Sequence, residues 1–259
     1  MLFSASYGNP SHPCLVFLHG FLGSGADWMP VVRRLSQHYY CILVDLPGHG
    51  QSVAVRVSAQ AGFEESHHHL QQLLQARGIQ QYVLIGYSLG ARIAMFHAVQ
   101  QPQGLVGLVI EGGHFGLPDV ERAARLTHDE KWAVRFTNEP MPTVLADWYQ
   151  QTVFSHLSMQ QRHHLIEQRG QQKGASLAAM MRATSLGRQA CLDIPLIQSR
   201  LPVHYLVGEW DNKFTQLARS RPFSIGVVEQ AGHNTHHEAP AAFCRALMLF
   251  LQHIDVKEQ

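Results

Sequence analysis

Short apolar runs bounded by turn-forming residues recur along the chain, at Cys14 to Leu18, Cys41 to Val44, Tyr82 to Ile85, Leu105 to Ile110, Val203 to Val207 and Ile225 to Val228. Each has the length of a buried strand. Stretches of helical spacing lie between several of them, for example His69 to Leu74 and Ala91 to Val99. Such alternation predicts an α/β fold with a mostly parallel sheet covered by helices on both faces. The rhythm breaks between about Leu117 and Ile194, where the spacing is helical and Trp132, Phe136, Leu145, Trp148, Leu165, Met180 and Leu186 stand as apolar anchors. Because the strand pattern returns at Val203, this block is read as a helical cap inserted over the sheet. The expected division is a core of residues 1–116 and 195–259 and a cap of residues 117–194.

Composition narrows the function classes. The chain has 259 residues, 46% of them apolar and 15% charged, enough to bury a sizeable core. Twenty Lys and Arg against nineteen Asp and Glu leave a formal charge of +1, so no global field draws nucleic acid or an anionic membrane. The longest apolar stretches fall far below the roughly 18 residues of a membrane helix. Met1 to Pro13 shows no basic segment followed by an apolar one, so the expected address is the cytoplasm. Cys14, Cys41, Cys191 and Cys244 lie far apart in apolar contexts and read as buried thiols in a reducing compartment.

The chemistry centres on Gly86-Tyr87-Ser88-Leu89-Gly90, which follows a strand-like run and opens a helix-like one. That is the context a G-x-S-x-G elbow needs, with glycines where a Cβ would collide as strand turns into helix. A serine hydroxyl reacts only with a base beside it, and the base needs an orienting carboxylate. Asp211 and His233 each follow a strand-like run downstream, giving the order Ser88, Asp211, His233. Glu209 and Glu238 flank them as rival orienters, with Asp211 preferred. His19-Gly20-Phe21 follows the first strong strand, so the backbone N–H groups of Phe21 and Leu89 would converge on a developing oxyanion. Asp45 is read as a loop brace.

Eighteen histidines, with runs at His67-His68-His69, His163-His164 and His236-His237, raise the question of a metal. Spacings such as H-E-x-x-H are missing, so they are read as solvated helix and loop histidines, with no metal site. Neither a phosphate loop nor a dinucleotide fingerprint is present, and no cofactor is expected.

With these motifs in place, the chain resembles the α/β-hydrolase superfamily throughout. More narrowly, it resembles the 2-succinyl-6-hydroxy-2,4-cyclohexadiene-1-carboxylate synthases of menaquinone biosynthesis. The narrow resemblance rests on Val109-Ile110-Glu111-Gly112-Gly113-His114, Ala146-Asp147-Trp148-Tyr149-Gln150-Gln151, Ala183-Thr184-Ser185-Leu186, Gly208-Glu209, Asp211-Asn212-Lys213-Phe214 and Ala231-Gly232-His233-Asn234. It implies a lyase that eliminates pyruvate from an enolpyruvyl cyclohexene, the serine oxygen acting as a base toward a C–H beside a carbonyl. A small polycarboxylate is then the expected partner, with no obligate protein partner. Arg92, four residues after Ser88, is the clearest candidate to grip a carboxylate. The resemblance adds Arg125 and Arg169 from the cap, with Arg122 a rival of Arg125. Tyr87 and Trp148 resemble residues that line the family's pocket, with ordinary aromatic packing between cap and core as the other reading. The same triad used as a nucleophile would make an esterase or carbon–carbon bond hydrolase. A noncatalytic binding protein of this fold is the reading that the intact triad opposes.

Overall fold

The computed structural model describes residues 1–254. Among them are seven strands, β1 (Ser4–Tyr7), β2 (Cys14–Leu18), β3 (Tyr40–Val44), β4 (Tyr82–Tyr87), β5 (Leu105–Glu111), β6 (Val203–Gly208) and β7 (Ser224–Val228). They form one sheet in the order β1-β3-β2-β4-β5-β6-β7, in which β1 runs antiparallel to β3 and every other pairing is parallel. The helices are α1 (Met29–Leu35), α2 (Gly62–Ala76), α3 (Leu89–Val99), α4 (Asp119–Asn138), α5 (Met141–Trp148), α6 (Met159–Arg169), α7 (Gly174–Ala183), α8 (Asp193–Ser199), α9 (Asn212–Arg219), α10 (Thr235–Glu238) and α11 (Pro240–Leu251). None is long and apolar enough to cross a membrane among the described residues.

Successive strand side chains point to opposite faces, and the core divides accordingly. Val16, Leu18, Ile42, Val44, Leu84 and Ile110 pack with α2, α3 and α8 through Leu70, Ala94 and Leu196. Leu15, Phe17, Leu43, Val83, Ile85 and Val109 pack on the other side with Trp28, Val32 of α1 and Phe243 and Leu247 of α11. A third cluster joins α4 to α7 through Ala133, Phe136, Leu145, Leu165 and Leu177, and Leu22 from the loop after β2 is part of it. Of the anchors, Phe136, Leu145, Leu165, Met180 and Leu186 are buried, and Trp132 and Trp148 pack partly exposed against that cluster.

Two expectations, on the thiols and on the histidines, need correction, and strand β1 is not among the expected elements. The edge strand β1 has a polar, half-exposed sequence, Ser-Ala-Ser-Tyr, and forms through backbone pairing with β3 rather than through an apolar run. Cys191 is exposed while the other three thiols are buried. His67 and His236 are not solvated: both are buried and hydrogen-bonded, to His97 at 2.9 Å and Glu111 at 2.7 Å. The expected boundary between residues 194 and 195 falls inside α8, which packs on the core side of the chain.

Candidate active site

The parallel strands deliver their C-terminal ends to one edge of the sheet, where loops of different origin meet. Ser88 turns from β4 into α3 with φ 50° and ψ −107°, a conformation that costs a non-glycine residue about 1–3 kcal/mol. Its N–H donates to the Glu111 carbonyl at 2.8 Å and its own carbonyl accepts from Arg92 N–H at 3.1 Å. The turn is tight enough that a methyl group on Gly86 would lie 2.5 Å from the Gly90 carbonyl.

Asp211 caps α9, one carboxylate oxygen accepting from Phe214 N–H at 3.2 Å. The other lies 2.6 Å from His233 Nδ1, and both side chains are buried. This pairing puts the proton on Nδ1 and turns the Nε2 lone pair to the far side of the ring. The imidazole lies against Gly112 at the end of β5, with Phe214 at 4.7 Å and Tyr87, the residue before Ser88, at 5.4 Å between ring centroids. No hydrogen bond joins Ser88 to His233 among the described residues; in an unliganded site such a contact is commonly loose. The rival acids are placed elsewhere. Glu209 accepts from Gln230 N–H at 3.0 Å, and Glu238 accepts from Gly232 N–H at 2.7 Å and Asn234 N–H at 3.1 Å.

The loop after β2 runs against the elbow: a methyl group on Gly20 would lie 3.5 Å from Ser88 Cβ. The backbone N–H groups of Phe21 and Leu89 donate to no protein acceptor among the described residues. Two neutral histidines brace this loop. His19 accepts from Leu46 N–H at 3.0 Å and donates to the Gly20 carbonyl at 2.7 Å; burial lowers its pKa to about 4. His49 accepts from Leu22 N–H at 3.3 Å, and burial lowers its pKa to about 3. Asp45 accepts from Gly25 N–H at 2.7 Å and Gln51 N–H at 2.8 Å, tying two further loops together.

The arginines fall into two groups. Arg92, partly buried, donates from Nε to the Gln189 side-chain oxygen at 2.6 Å and from Nη2 to the Thr184 carbonyl, and lies over the Phe63 ring. Its Nη1 has no protein partner and it forms no ion pair among the described residues. Burial, assisted by Arg125, lowers its pKa to about 9, so it stays cationic at neutral pH. Arg125 pairs with Asp129 at 2.7 Å, and Ser185 donates to the other Asp129 oxygen at 2.7 Å. His114 belongs to the same neighbourhood: burial first, then Lys213, Arg92 and Arg125, lower its pKa to about 4. Arg169 forms the second group. Burial alone would depress its pKa, but Asp27 at 3.0 Å, together with Tyr149 and Tyr87, holds it above the ordinary value. A narrow cavity between helical block and sheet is lined by Phe21, Tyr87, Trp148, Tyr149 and Arg169. Arg122 stands apart, bound to Asp119 at 3.1 Å and to the Leu117 carbonyl at 3.2 Å.

The chain carrying this arrangement is similar to known proteins over most of its length. The model of the alpha/beta hydrolase family matches residues 15–246. The chain belongs to the alpha/beta hydrolase family. It is 48% identical over 241 residues to a 2-succinyl-6-hydroxy-2,4-cyclohexadiene-1-carboxylate synthase of Yersinia pseudotuberculosis, covering 92% of this chain and 87% of that protein. The solved structure of MenH from S. aureus superposes with a TM-score of 0.87 at 25% identity, covering 96% of this chain and 98% of the other. A thermophilic esterase from Thermogutta terrifontis matches with a TM-score of 0.79 at 22% identity, covering 97% and 93%, which speaks to the fold alone.

Some members of this hydrolase-fold site carry no motif of their own. The side chains of Gln189 and Asp27 act through partners distant in sequence, and spacing offers no signal for them. Glu111, singled out by no motif of its own in the sequence, is fully buried and supplies the carbonyl that holds Ser88.

Proposed function

We propose that this chain eliminates pyruvate from 2-succinyl-5-enolpyruvyl-6-hydroxy-3-cyclohexene-1-carboxylate to give 2-succinyl-6-hydroxy-2,4-cyclohexadiene-1-carboxylate, a step of menaquinone biosynthesis. The observation that carries the reading is Arg92: a cation one helical turn from Ser88, held by neutral oxygens, with one nitrogen left over for an anion. Ester hydrolysis needs no such group. The 48% identity to synthases across most of the chain supports the same assignment.

In the proposed reaction His233 takes the Ser88 proton, with Asp211 holding the imidazole as donor from Nδ1. The serine oxygen removes the ring proton beside the succinyl ketone. The N–H groups of Phe21 and Leu89 hold the enolate oxygen. Electrons from the broken C–H bond form the first ring double bond, the existing one shifts, and the C–O bond to the enolpyruvyl group breaks at the far end. The leaving group departs as the enolate of pyruvate and is protonated at carbon, so the proton taken from the ring is returned through Ser88 and His233 and no water is consumed. Arg92, Arg125 and Arg169 are assigned to the three carboxylates, and Arg125 is preferred to Arg122 because its charge reaches both Arg92 and His114. Tyr87 and Trp148 form the wall between them, and the helices between β5 and α8 serve as the cap. No cofactor enters this scheme, and we assign the enzyme to the cytoplasm on its cysteine pattern. The deciding assay supplies the enolpyruvyl cyclohexene and follows pyruvate beside a panel of activated esters. Turnover of the esters with none of the cyclohexene would replace this reading with an esterase.

A further inference from the structure

Glu238 stands at the end of α10, five residues beyond His233, and its carboxylate grips the backbone on both sides of that histidine. One oxygen accepts the Gly232 N–H at 2.7 Å. The other accepts the Asn234 N–H at 3.1 Å and also lies 3.0 Å from His156 Nε2. A carboxylate oxygen only accepts here, so Nε2 is the donor.

His156 comes from the helical block, between Phe154, which lines the narrow cavity, and Leu157, which is buried in the third core cluster. Its ring lies against Gly232. A methyl group there would meet His156 Cδ2 at 2.6 Å and Cε1 and Nε2 closer still, so position 232 has no room for a side chain. Both side chains of the pair are largely out of solvent, at 16% exposure for His156 and 8% for Glu238. Low exposure strengthens such a charge-assisted contact.

We propose that Glu238 is a positioning residue for His233 and that His156 holds Glu238 in that role. The Asp211 hydrogen bond fixes the rotation of the imidazole about its own axis. It does not fix the height of the His233 Cα above the strand ends, which depends on the two flanking peptides. Those are the peptides that Glu238 holds. The helical block, through His156, thereby sets the reach of Nε2 toward Ser88, and a displacement of about 1 Å at a reacting group costs on the order of a hundredfold in rate. The inference rests on the reading of His233 as the base.

The test measures kcat and KM for pyruvate release from the enolpyruvyl cyclohexene with Glu238→Gln, His156→Ala, His156→Gln and His233→Ala. Glu238→Gln retains the shape but turns an N–H toward one of the two amides, and is expected to lower kcat about tenfold with KM within about twofold. His156→Ala is expected to lower kcat several-fold, and His156→Gln, whose amide donates to the same oxygen, to recover most of the loss. The low-field proton resonance of the His233–Asp211 hydrogen bond should shift in Glu238→Gln and return toward its wild-type position in His156→Gln relative to His156→Ala. An unchanged kcat in Glu238→Gln, a change confined to KM, or a loss of activity matched by the fraction unfolded overturns the proposal. His233→Ala separates the two readings: wild-type turnover in that variant removes the base assignment itself, whereas loss of turnover there beside normal kcat in Glu238→Gln removes only the positioning role.

Discussion

Arg92 donates from Nε to the side-chain oxygen of Gln189 at 2.6 Å, and the amide nitrogen of that glutamine donates to the His114 carbonyl at 2.7 Å. A neutral side chain, itself fully buried, thus aims the guanidinium without neutralising it. A charge-assisted pair with substrate contributes about 1.5–3 kcal/mol, so Arg92→Ala is expected to lower kcat/KM by roughly ten- to a hundredfold or more. Arg92→Lys keeps the charge but lacks the planar fork and should recover only part. Gln189→Ala frees the fork and is expected to raise KM more than it lowers kcat. Steady-state pyruvate release measures all three; wild-type kcat/KM in Arg92→Ala would end the assignment.

The serine, histidine and aspartate are expected to act as one unit. Ser88→Ala and His233→Ala should each depress pyruvate release by about a thousandfold or more, and the double variant should be little worse than either alone. Asp211→Asn keeps the contact at 2.6 Å geometrically but removes the charge that stabilises the imidazolium. Its loss should fall in kcat. Additive losses across the three positions would mean that they serve separate steps.

The parts of this molecule legible in its sequence are those with a local signature. Strands β2 to β7 announce themselves as apolar runs, and Ser88, Asp211 and His233 each follow such a run with turn chemistry. Strand β1 does not, because Ser4–Tyr7 is held by backbone pairing at an exposed edge. Gln189 and Asp27 were invisible for a different reason: their contacts to Arg92 and Arg169 span 97 and 142 residues, and polar contacts at that range leave no periodicity. The run His67-His68-His69 misleads because a helix advances about 100° per residue. One of the three therefore faces the core: His67 is buried against His97 while His68 is exposed.

Glu111 ties the elbow to the loop that carries His233. Its carboxylate accepts from Thr235 Oγ1 at 2.7 Å, from His236 N–H at 3.1 Å and from His236 Nδ1 at 2.7 Å, all fully buried. Glu111→Ala would strand these three groups without partners, and breaking one side of a buried pair costs about 3–5 kcal/mol. Chemical denaturation should report a loss of that size, with Glu111→Gln falling between. A change below about 1 kcal/mol in Glu111→Ala would show the network to be dispensable for stability.

Buried histidines make the fold sensitive to acid, with His97, His49 and His19 fully buried among them. Burial lowers the pKa of His97 to about 3, of His49 to about 3 and of His19 to about 4, against an ordinary value of 6.5. At pH 7 each is neutral folded and unfolded alike. As the pH falls below 6.5 the unfolded chain takes up protons that the native state refuses, so stability drops until the folded values are reached near pH 4 to 3. By pH 5 each site has contributed a loss of about 2 kcal/mol. Thermal unfolding should therefore shift steeply downward between pH 6.5 and 4, and the slope of unfolding free energy against pH near 5 counts the protons taken up. His97→Gln, which keeps a donor and an acceptor beside Tyr82 and His67 but binds no proton, should reduce that count by about one whatever its effect on absolute stability. An unchanged slope in His97→Gln would show that His97 titrates in the folded protein as freely as in the unfolded chain.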